Sequence, residues 1–147
     1  MPGFNSRHFV DASIPQDQLT RLDMMKTESR AWAEQLEEHL LKGGCFPEWS
    51  DTELQAHIPN EAHRQQTISE MNPRSLAFFT EPIPLPKEWF AVPAGYIQFT
   101  DAYAVPASQA EDQGWPITRL PAGHFHMLVD PVAVSDALIN MLGQLVH

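Results

Sequence analysis

Hydrophobic and polar positions alternate with two different periods along this chain. From Asp17 to Lys42 the residues Leu19, Leu22 and Met25, then Trp32, Leu36 and Leu40, recur every three or four positions. That spacing predicts a long amphipathic helix, broken once near Thr27 and stopped by Gly43-Gly44. Ser50 and Glu53 have capping-box spacing ahead of a short helix that Pro59 ends, and Asn60 caps a further helix that Pro73 terminates. Ahead of all these helices, the segment from Arg7 to Ser13 is apolar in its middle and closed by Ile14-Pro15. It reads as one buried strand, the only strand expected before residue 90. Pro73, Pro82, Pro84, Pro86 and Pro93 exclude a hydrogen-bonded ladder between them and predict an ordered loop.

The last third changes period. Gly95 to Thr100 reads as a strand, Pro106 to Gln113 as a helix stopped by Gly114, and Trp115 to Leu120 as a second strand. Strand, helix and strand in that order imply a parallel crossover. Asp130-Pro131 then supplies an N-cap and a first-turn proline to a closing helix, whose Val134, Leu138, Met141 and Leu145 share one face and are expected to pack on the sheet. The expected fold class is α/β: one domain over 1–147, with a small, mostly parallel three-stranded sheet, a helical insertion over 17–86 and a βαβα core over 93–147.

Composition narrows the class of protein. With 147 residues, 43% hydrophobic and 19% charged, the chain can bury a core. Nine Lys and Arg against 19 Asp and Glu leave a net charge of −10, which offers no footprint for a phosphate backbone, so nucleic acid is not an expected partner. The single cysteine, Cys45, excludes an internal disulfide framework and a multi-cysteine zinc site, and suits a reducing compartment. No apolar stretch approaches the roughly 20 residues of a membrane span, and Met1 to Arg7 has no apolar signal core. A cytoplasmic protein without a membrane partner is expected.

The chemistry concentrates in Gly123-His124-Phe125-His126, between the last strand and the closing helix. Ligand sites of open parallel sheets lie beyond the carboxyl ends of the strands, where His124 would sit. Asp101 ends the preceding strand, 23 residues earlier, and a crossover of that size returns both to one sheet edge. A carboxylate there can accept the Nδ1 proton of His124 and leave Nε2 as a general base toward a hydroxyl nucleophile. His124 and His126 also have the His-x-His spacing of some metal sites.

These residues carry a family resemblance. A helical insertion, a strand ending at Asp101, a helix, a strand and then Gly123-His124 resembles the C-terminal half of an α/β-hydrolase. The runs Trp89-Phe90-Ala91-Val92-Pro93-Ala94-Gly95-Tyr96-Ile97, Gly114-Trp115-Pro116 and Gly123 to Leu128 look like bacterial small esterase-like members, and Phe9-Val10-Asp11-Ala12 looks like that fold's sixth strand. The resemblance implies that His124 is the catalytic histidine, that Asp101 is its acid with Asp11 as the alternative, and that residues 17–86 form a cap over the substrate. It implies a small apolar ester-like substrate and no cofactor.

One element of that family is missing from the sequence. Its nucleophile sits on a Gly-x-Ser-x-Gly elbow, whereas Ser6, Ser13, Ser29, Ser50, Ser69, Ser75, Ser108 and Ser135 all lack glycines at that spacing, and Cys45 follows a helix rather than a strand. Three readings therefore stay open: a hydrolase lobe that works with a nucleophile from elsewhere, a non-catalytic binding or interaction module of hydrolase fold, and a metal-dependent enzyme using His124 and His126. The strand near Phe9 would then present an open edge, so a partner chain or self-association is expected.

Overall fold

The computed structural model describes residues 6–145 and divides into two compact units. Of the described residues, the first comprises 6–14, 85–126 and 130–145, and the second 15–84 with 127–129.

The first unit is built on a three-stranded sheet, β1 (Arg7–Val10), β2 (Ala94–Gln98) and β3 (Ile117–Arg119), in the order β1-β2-β3. Both pairings are parallel, with Phe9 opposite Tyr96 and Ile97 opposite Thr118. Being central, β2 is buried at all five positions, as a strand covered on both faces must be. Its alternating side chains divide between two cores. Ile97 and Phe99 meet Val134, Ala137 and Met141 of the closing helix α8 (Pro131–Leu145) on one face. Tyr96 meets Ala107 and Ala110 of α6 (Ala104–Asp112), with Ile14, Phe9 and Trp115, on the other. The result is helix, sheet and helix in three layers, and the α8 face expected from Val134, Leu138, Met141 and Leu145 is the face that packs. Gly95 is needed for this layer: a Cβ there would lie 2.3 Å from the Met141 sulfur.

Two details of this unit differ from expectation. The helix after β2 begins at Ala104 rather than Pro106, because the proline falls in the first turn, where its missing N–H leaves no bond unmade. Asp101–Tyr103 forms a 3₁₀ turn between β2 and α6.

The second unit is helical: α1 (Arg21–Glu28), α2 (Arg30–Leu41), α3 (Asp51–Leu54), α4 (Glu61–Glu70) and α5 (Leu76–Thr80), with the last three residues of α7 (His126–Val129). The long helix expected over 17–42 is two helices. Ser29, extended at φ −154° and ψ 97°, ends α1 and begins α2. The start moves to Arg21 because Thr20 and Asp23 form a capping box. At the far end, Gly43 sits at φ 90°, with its N–H on Leu40 and that of Gly44 on His39, a Schellman stop. The Ser50–Glu53 box and the Asn60 cap form as the sequence implies. The proline-rich stretch expected as a loop holds α5, since residues 74–81 contain no proline. Leu22, Leu36, Leu40 and Phe79 form the core of this unit.

Candidate functional site

The site begins with a break in β1. After Val10 the backbone turns at Asp11, whose φ of 44° is in the left-handed region that residues with a Cβ seldom adopt. Its N–H still bonds Ile97, at 2.7 Å. The turn sends its carboxylate back across the end of β2, where Oδ1 accepts the backbone N–H groups of Phe99 and Thr100 at 2.8 and 2.9 Å. Oδ2 accepts the Thr100 hydroxyl at 3.1 Å and His124 Nδ1 at 2.8 Å. The next residue is clamped too: the buried Tyr96 hydroxyl donates to the Ala12 carbonyl at 2.7 Å and accepts its N–H at 3.2 Å.

Asp11 is completely buried. Burial, the largest single influence, pushes its carboxyl up, but hydrogen bonds from His124, Thr100 and Phe99 and the His124 charge together outweigh it. The carboxyl is therefore held below its ordinary value and stays ionised. An ionised carboxylate can only accept, so the proton of this bond belongs to His124 Nδ1 and Nε2 is the basic nitrogen.

This pairing replaces the one first expected. Asp101 is exposed on its 3₁₀ turn, and among the described residues its carboxylate makes no hydrogen bond. The chain leaves β2 at Gln98, so Asp101 is already three residues past the edge; the carboxylate that meets His124 comes instead from the end of β1, the alternative position. Thr100 and Tyr103 were not singled out by sequence reasoning. Thr100 supplies two donors to Asp11, and the Tyr103 ring stacks on the His124 imidazole with centroids 5.3 Å apart and planes 13° apart. The only advance signal was their position immediately beyond β2.

The remaining candidates do not join the pair. His126 lies edge-on to Phe99, 5.4 Å between centroids. No group of three or more His, Cys, Asp or Glu among the described residues could hold a metal ion. The large aromatics pack within their own units: Trp115 stacks on Phe9, Trp89 lies under the Arg7 guanidinium, and Trp49, Phe78 and Phe79 belong to the ring cluster of the helical unit. No helix among the described residues is long and apolar enough to cross a membrane.

No family model matches the sequence, and no curated protein matches it. Among solved structures, an extracellular α/β-hydrolase from a Paenibacillus species matches with a TM-score of 0.64 at 17% identity. That enzyme is described as sharing structural and functional homology with tobacco salicylic acid binding protein 2. The match covers 93% of this chain and 61% of that one, so this chain spans less than two thirds of its neighbour. With the parallel sheet, its helical layers and the helical unit between β1 and β2, the match defines the fold as that of an α/β-hydrolase.

Proposed function

We propose that this chain is the acid–base lobe of a carboxylic-ester hydrolase of the Ser-His-Asp type, resembling the C-terminal half of a small esterase. In this reading His124 is the general base and Asp11, rather than Asp101, is the acid. The observation that carries it is the 2.8 Å bond from His124 Nδ1 to a buried carboxylate that four donors hold ionised.

The chemistry follows from the tautomer. Asp11 keeps the proton on Nδ1 and stabilises the imidazolium that forms when Nε2 takes a hydroxyl proton; the imidazolium then returns that proton to the departing alkoxide. The serine is the part this sequence does not present as a Gly-x-Ser-x-Gly elbow. We assign it to another polypeptide or segment, with which β1, unpaired on its outer side among the described residues, is the natural place of contact. The absence of the elbow from these 147 residues equally favours a second reading, a binding module of hydrolase fold that performs no chemistry.

The test is hydrolysis of 4-nitrophenyl butyrate by the purified chain and by His124→Ala, with and without a co-expressed polypeptide carrying the elbow. The lobe reading expects no His124-dependent turnover from the chain alone and turnover lost in both His124→Ala and Asp11→Ala from the complex. His124-dependent turnover by the chain alone would overturn the external nucleophile. Ester binding indifferent to His124→Ala, with no turnover in either setting, would establish the binding module instead.

A further inference from the structure

His124 is held in a way that one hydrogen bond does not explain. Its side chain is 41% exposed, so packing does not fix it, and a ring tethered only through Nδ1 can swing about that contact. The partner end is rigid, because Phe99 and Thr100 grip Asp11 from β2. A second restraint has to come from the faces and edges of the imidazole itself. Two rings supply it: Tyr103 lies nearly parallel to the imidazole at 5.3 Å, and Phe125 stands edge-on at 5.5 Å and 76°.

Tyr103 is itself anchored to the residues that hold Asp11. Its backbone N–H bonds the Thr100 carbonyl at 3.2 Å, and Thr100 is the residue whose N–H and hydroxyl hold Asp11. The Gln98 side chain bonds the same Thr100 carbonyl at 3.0 Å. Asp11, Thr100, Tyr103 and His124 therefore form a closed circuit, three links being hydrogen bonds or backbone bonds and the fourth a stacked pair of rings. A displacement of the carboxylate moves the stacking face with it, so the imidazole keeps its alignment.

We propose that Tyr103 is a positioning residue for His124, its ring face holding the imidazole plane so that Nδ1 stays on Asp11. The proposal rests on the reading of His124 as the base, and it adds a residue that acts through His124 rather than on substrate. The phenol hydroxyl has no part in it; the ring face does the holding, as offset-stacked rings attract beyond the area they bury.

The experiment is NMR of imidazole-¹⁵N-labelled full chain in three forms: wild type, Tyr103→Leu and Tyr103→Phe. In the wild type the carbon-bound ring protons of His124 are shifted upfield by the tyrosine face. Tyr103→Leu is expected to abolish that shift and to speed exchange of the Nδ1 proton with water by about two- to tenfold, the range that a stacked pair confers. Tyr103→Phe restores both. Unchanged exchange in Tyr103→Leu, or a phenylalanine variant that behaves like the leucine one, overturns the proposal. Should Tyr103→Leu lose its dispersed backbone spectrum, Tyr103→Trp takes its place, and there fast exchange overturns the proposal while slow exchange upholds it. None of these readouts needs ester turnover, so a failed exchange result leaves the hydrolase reading standing, and a failed ester assay leaves the stacking result standing.

Discussion

Asp11 and His124 are separated by 113 positions in sequence and by 2.8 Å in space. What brings them together is the crossing of three parallel strands, which delivers the ends of β1 and β3 to the same edge of the sheet on either side of β2. The left-handed turn at Asp11 completes the approach by directing the carboxylate over β2 rather than along its own strand.

The two candidate acids should separate sharply on substitution. Asp11→Ala leaves the N–H groups of Phe99 and Thr100 without an acceptor and is expected to cost about 3 kcal/mol, since each orphaned buried donor costs about 1–3 kcal/mol. Asp101→Ala removes an exposed carboxylate and is expected to stay within about 0.5 kcal/mol of wild type. Urea unfolding of both variants decides; equal losses would mean that Asp11 is not the anchor the geometry makes it.

Acid stability follows from the same residue. The folded state holds the Asp11 carboxyl below its ordinary value, so in acid the unfolded chain takes up this proton before the folded one does. Its contribution is complete above the ordinary aspartate value of about 3.9, declines as pH falls below it, and is gone once pH has passed the folded value. Asp23 and Glu53, lowered by their capping boxes with Thr20 and Ser50, act in the same direction. Unfolding free energy measured from pH 6 to pH 2.5 should therefore fall through the acid limb, and Asp11→Asn should flatten it. A variant with the wild-type slope would contradict the assignment.

The contact between β2 and α8 gives a packing test. Gly95→Ala places a Cβ 2.3 Å from the Met141 sulfur and 2.7 Å from its Cγ, and Met141 is fully buried. Overpacking of this kind costs about 1–3 kcal/mol. In the double variant Gly95→Ala, Met141→Ala the new methyl has room, so the two losses measured by thermal unfolding should sum to more than the double variant loses. Simple additivity would show that the two residues do not compete for space.

In the helical unit, Arg64 is the residue to remove. It is buried at 6% exposure and ties α4 to α3, with Nε on Asp51 at 2.8 Å and one guanidinium nitrogen on the carbonyls of Ile58 and Pro59 at 3.0 Å each. Asp51 is half exposed, which discounts the ionic part, and Arg64→Ala is expected to cost about 2 kcal/mol through the orphaned carbonyls. Arg64→Lys should recover less than half, because an ammonium cannot reproduce the planar fork. Full recovery by lysine would reduce the contact to charge alone.

Local signals were legible wherever the physics is local. The Ser50–Glu53 box, the Asn60 cap, the Gly43-Gly44 stop and the apolar face of α8 each depend on residues within a turn or two of one another, and all appear where the sequence puts them. So does the parallel crossover, because a strand, a helix and a strand of those lengths have one favourable way to pack. His124 was readable for a similar reason, standing in the loop between the last strand and the closing helix.

The partner of that histidine was not readable in the same way. Asp11 and Asp101 both follow a strand, and spacing along the chain favoured the nearer one. The choice was made by the 44° φ of Asp11 and by three donors at the end of β2, none of which leaves a mark in local periodicity. Tyr103 and Thr100 join the site for the same cause. A hydrogen bond or a stacked ring between residues distant in sequence exists only after the sheet has assembled, so tertiary structure alone could decide which carboxylate holds the imidazole and which ring lies against it.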